Sequence, residues 1–68
     1  MIDLWKYEYS GKVKIVDVDS KTFIGIAQEI TDEEERSEEE RQETGITIES
    51  DGVLIEFYRS DIKSIEKV

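Results

Sequence analysis

Sixty-eight residues with a formal net charge of −9 make one domain (1–68) and exclude any multi-domain machinery. With no cysteine and no histidine, disulfide staples, thiolate chemistry and the usual zinc ligands are excluded as well. No apolar run approaches the roughly 20 residues of a membrane helix. Met1-Ile2-Asp3-Leu4-Trp5-Lys6 lacks the basic-then-apolar pattern of a signal peptide, so a soluble, cytoplasmic protein without membrane contact is expected.

A domain this small buries only about 60% of its unfolded surface, so it is marginally stable unless something staples it. Oligomerisation is the staple left open. The charge is concentrated: between Asp32 and Glu43 eight acids face Arg36 and Arg41, a net of −6, which leaves −3 for the other 56 residues. Neither part is basic. Polyanion binding normally rests on a Lys/Arg surplus that releases counterions, so the balance counts against nucleic acid as a general partner.

In chain order, residues 5–9 come first. Tyr7-Glu8-Tyr9 alternates and favours extension over a short helix. Extended, Trp5, Tyr7 and Tyr9 share a face, the kind of row on which bases stack; alternatively Trp5 and one tyrosine cap an open end of the fold. A strand near 11–18 follows, with Val13, Ile15, Val16 and Val18 suiting a pleated surface. Asp19-Ser20-Lys21 is a turn by residue type. Asp17 to Lys21 superficially resembles the start of a calcium loop, but Lys21 and Thr22 stand where an oxygen ligand and a glycine are needed. Residues 22–30 read as a long strand interrupted at Gly25, where a bulge or sharp bend is expected.

Residues 32–44 carry no apolar side chain and read as an acidic, mobile loop. Thr31 with Glu34 fits a capping box and Arg36 is spaced to pair with Asp32 and Glu40. Such pairs contribute only tenths of a kcal/mol each, and there is no face to bury. A flexible glutamate run holds no cation selectively, so no metal and no cofactor are expected.

The C-terminal half alternates at Ile46-Thr47-Ile48-Glu49, giving a strand near 45–50. Asp51-Gly52 then supplies the positive φ angles of a two-residue hairpin turn. A strand near 53–58 puts Val53, Ile55 and Phe57 on one face. Arg59-Ser60-Asp61 is a corner, and 62–67 a last strand. Five β segments and no helix-length apolar pattern predict an all-β, closed or nearly closed small barrel. Its expected core is Val13, Ile15, Ile24 or Phe23, Ile26, Ile46, Ile48, Ile55, Phe57, Ile62 and Ile65. Such a barrel fills its interior with side chains, and without His or Cys no nucleophile–base pair assembles, so an enzyme is not expected.

Gly11-Lys12-Val13-Lys14-Ile15 with Phe23-Ile24-Gly25-Ile26, and Tyr58-Arg59-Ser60-Asp61-Ile62-Lys63-Ser64-Ile65, resemble the two motifs of the Sm/Lsm family. Asp3-Leu4-Trp5-Lys6-Tyr7 with Ile62 to Glu66 is similar to short Sm-like proteins of Gram-positive bacteria. The resemblance implies a five-stranded SH3-type (Sm-like) barrel, rings formed by edge pairing of the last strands, and RNA held at the ring's inner face. It assigns RNA contacts to Asp32, Arg59 and Asp61. This chain departs from the family at that site: Glu33-Glu34-Glu35 follow Asp32 in place of an aromatic residue and an asparagine, and Ser60 replaces a glycine.

The sequence therefore points to a non-enzymatic Sm-like interaction or assembly module. Its expected partner is itself, as a homo-oligomer through the last two strands, beside an unspecified protein partner. RNA binding by a ring is the alternative. A peptide adaptor resembling SH3 domains would need a groove built from Trp5, Tyr7 and Tyr9.

Overall fold

The β-branched and alternating segments become five antiparallel strands of one sheet in a computed structural model, which describes residues 2–35 and 42–68. They are β1 (Gly11–Asp17), β2 (Thr22–Thr31), β3 (Gly45–Ser50), β4 (Val53–Tyr58) and β5 (Ile62–Lys67), in the order β4-β3-β2-β1-β5. Three single 3₁₀ turns accompany them: η1 (Leu4–Tyr7), η2 (Glu33–Glu35) and η3 (Arg59–Asp61). Among the described residues no helix is long and apolar enough to cross a membrane. The fold is the expected small all-β domain. It is not closed by hydrogen bonds, because β4 and β5 are the two ends of the sheet and do not pair.

The turns form as their residues dictate. Asp51 (φ 51°) and Gly52 (φ 81°) make the two-residue hairpin between β3 and β4, closed by Ser50 opposite Val53. Asp17 Oδ1 accepts hydrogen bonds from the N–H groups of Asp19 and Lys21, both at 2.9 Å, so the β1–β2 connection is an Asx-type turn.

Val13, Ile15, Ala27, Ile30, Ile46, Ile48, Phe57 and Ile62 form the core with Leu4 and Tyr7, and Phe23, Ile55 and Ile65 pack around it. Phe23 meets Phe57 edge-on, with ring centroids 5.0 Å apart. Three expectations are corrected here. Ile24 and Ile26 point outward, because β2 turns Phe23, Gly25 and Ala27 inward and a register shift between Ala27 and Ile30 then brings Ile30 to the core. That shift, and not Gly25, is the bulge. Gly25 instead permits a close approach: a Cβ there would lie 2.5 Å from the Glu49 carbonyl oxygen. Val53 belongs to the inward phase of β4 but sits at the hairpin tip and is 59% exposed.

The third correction concerns residues 5–9, which are not extended. The Asp3 side chain accepts the Trp5 N–H at 3.2 Å and caps η1, and residues three apart eclipse in a 3₁₀ turn, so Leu4 and Tyr7 both face the core. The following residues hold the β2 bulge: Tyr9 N–H donates to the Gln28 carbonyl (3.0 Å), and Ile30 N–H donates to Glu8 Oε2 (3.2 Å). Of the acidic segment, Asp32 Oδ1 accepts from Glu34 N–H at 3.5 Å and Thr44 is buried. Residues 36–41, on which the mobile-loop expectation mainly falls, lie outside the described residues.

Candidate interaction edges

The aromatic row does not exist as a row. Tyr7 is 8% exposed and its O–H donates to the Ile65 carbonyl at 3.2 Å, whereas Trp5 (45%) and Tyr9 (68%) are exposed on either side of it. Tyr9 takes a left-handed backbone (φ 48°) at the end of the segment. Neither a stacking platform nor a peptide groove of all three residues is formed.

Asp32 and Arg59 come to one end of the sheet. Thr31, Gly45 and Tyr58 form a row across β2, β3 and β4, and Asp32, Thr44 and Arg59 continue it. Two strand spacings put Asp32 and Arg59 backbones about 10 Å apart. Asp61 follows in the same turn as Arg59, its carbonyl accepting the Val18 N–H at 3.0 Å beside the β1–β2 turn. Arg59 lines a cleft of about 470 Å³ with Ile2, Glu43, Ser60, Ile62 and Lys63. A carboxylate is built into that cleft: Ser60 N–H donates to Glu43 Oε1 at 2.8 Å. Among the described residues no cluster of acids is arranged to hold a metal ion.

The two edge strands present a second candidate site. Arg59 N–H donates to the Thr44 carbonyl (2.9 Å), so these two form a hydrogen-bonded pair, and counting back in twos Phe57, Ile55 and Val53 also bond to β3. Leu54, Glu56 and Tyr58 therefore turn their backbone groups outward, with their side chains on the outer face. On the other edge, Val68 N–H donates to the Lys12 carbonyl (3.1 Å), which directs Glu66 and Ser64 to β1 and turns Ile65 and Lys67 outward. Lys63 is the extra residue of a bulge, since Ile62 stands opposite Asp17 and Ser64 opposite Val16.

The side chains along these edges differ. On β4, Val53 and Leu54 are 59% and 67% exposed and adjacent to Glu56. On β5, Lys63, Ser64, Glu66 and Lys67 are exposed around a half-buried Ile65, with Lys14 Nζ 3.7 Å from Glu66 across the β1–β5 pair. Sequence reading placed the edges correctly. The exposure of Val53 and the part of Tyr7 were not legible there, because alternation alone does not say where the core ends. Comparison with protein-family models, with curated proteins and with solved structures finds no match.

Proposed function

We propose that this chain is a non-enzymatic, Sm-like interaction and assembly module that self-associates by pairing the β4 edge of one copy with the β5 edge of the next. The observation that carries the reading is the strand order, which leaves those two strands as the two ends of an antiparallel sheet. A strand end with outward backbone groups is a template for another strand. In an antiparallel β4–β5 contact, outward-turned residues face each other with side chains on one side. Setting Leu54 opposite the next copy's Ile65 joins the outer face of β4 to the core-facing side of β5, laying an exposed leucine beside a half-buried isoleucine, and brings Glu56 beside the next copy's Lys63. Cross-strand pairs of these two kinds contribute about 0.2–1 kcal/mol each. The contact is head-to-tail, so it closes into a ring or continues as a filament according to the rotation between copies.

Light scattering over a concentration series, with and without a pool of short RNAs, tests the reading. Concentration-dependent growth to a defined oligomer is expected. A monomer throughout, with no recoverable protein partner, would overturn it. Mass gained only with RNA, and lost as salt rises, would favour the RNA-binding alternative through Arg59.

A further inference from the structure

We infer that Tyr7 is the latch of the β5 edge, and that the second copy enters the groove between η1 and β5 when this latch releases. The inference rests on the self-association reading above and names the surface and its control.

Three observations meet at this place. Ile65 turns its carbonyl away from β1, toward the side where a further strand would bond, and the Tyr7 O–H donates to that same oxygen at 3.2 Å. Beside this bond runs a cleft of about 400 Å³ lined by Ile2, Asp3, Lys6 and Tyr7 on one side and Lys63, Ser64 and Ile65 on the other. The Arg59 cleft shares Ile2 and Lys63 with it, so the two clefts adjoin where the N-terminal segment meets β5. Furthermore, the segment over it is a four-residue turn, anchored by Leu4 and Tyr7, whose N-cap is the Asp3–Trp5 hydrogen bond.

In a lone copy the latch protects the edge, since an outward carbonyl satisfied by Tyr7 no longer recruits an arbitrary strand. An entering β4 strand needs that carbonyl for the N–H of its own Leu54. The occupant is a second copy because the chemistry of the two edges matches: apolar Leu54 against Ile65, and Glu56 against Lys63, which lines both clefts. The Tyr7 ring is a core element, but its hydroxyl serves the edge alone.

Tyr7→Phe keeps the ring and removes the donor, so it separates the two roles. Sedimentation velocity on wild type and Tyr7→Phe should place the association midpoint of the variant at about five- to tenfold lower concentration, the worth of one net hydrogen bond. Asp3→Ala, which uncaps η1, should move the midpoint the same way and beyond an Asp3→Asn control that keeps a capping oxygen and removes only the cleft charge, and far-UV circular dichroism confirms that each variant is folded. If wild type associates and both Tyr7→Phe and Asp3→Ala associate equally or more weakly, the latch is overturned while the self-association reading stands. If all of these chains remain monomers at millimolar concentration, the reading falls and the latch with it.

Discussion

The two edges of this sheet solve the same problem differently. Strand β5 is protected twice, by lysines along its length and by the N-terminal turn whose Tyr7 occupies the Ile65 carbonyl. Strand β4 carries Glu56 but ends in the exposed pair Val53-Leu54, with no 3₁₀ segment strapped across it among the described residues. An unprotected apolar edge is normally avoided because it pairs with other chains. Keeping one edge under the N-terminal turn while Val53 and Leu54 stay exposed on the other fits a chain that pairs in one sense, head-to-tail, and not indiscriminately.

That contrast can be broken at its support. Leu4 is fully buried and anchors η1 beneath the strap. Leu4→Ala should cost about 2–5 kcal/mol, a large share of the stability of so small a domain, and should appear as a strongly lowered urea midpoint. Gly25→Ala acts in the middle of the sheet that carries both edges, because the new Cβ collides with the Glu49 backbone of β3. A cost of about 1–3 kcal/mol is expected in thermal unfolding, as for other overpacked sites. Leu54→Lys sharpens the contrast. An exposed side chain on a free edge should alter monomer stability by no more than about 0.5 kcal/mol. The same change should raise the concentration needed for self-association, since a lysine would then face Ile65 and stand close to Lys63.

Much of this arrangement was legible in the residues. The five strands, the Asp51-Gly52 hairpin and the corner at Arg59-Ser60-Asp61 follow from alternation and turn chemistry, which are local. What was not legible depends on partners distant in sequence. Tyr7-Glu8-Tyr9 alternates like a strand, yet the Asp3 cap and the pull of Leu4 and Tyr7 into a core built by later strands make it the end of a 3₁₀ turn. The phase of β2 was ambiguous because Phe23, Ile24, Ile26 and Ile30 lie on both faces. Only the β2–β3 register, with Gly25 against Glu49, decides which of them is inside. The site residues divide in the same way: strand pairing brings Asp32 and Arg59 to the same end of the sheet, whereas the backbone bond from Val18 that ties down the Asp61 carbonyl is one that no side-chain pattern announces.

The most direct test of head-to-tail edge pairing uses the absence of native cysteine. Leu54→Cys and Ile65→Cys chains, mixed and mildly oxidised, should yield mainly the mixed disulfide, because directly opposed residues of a hydrogen-bonded antiparallel pair stand about 5.5 Å apart, within disulfide reach. Each chain alone should cross-link poorly. Equal yields of the mixed and the two self-linked species, or no mixed product at concentrations where the mass grows, would contradict the pairing of β4 with β5.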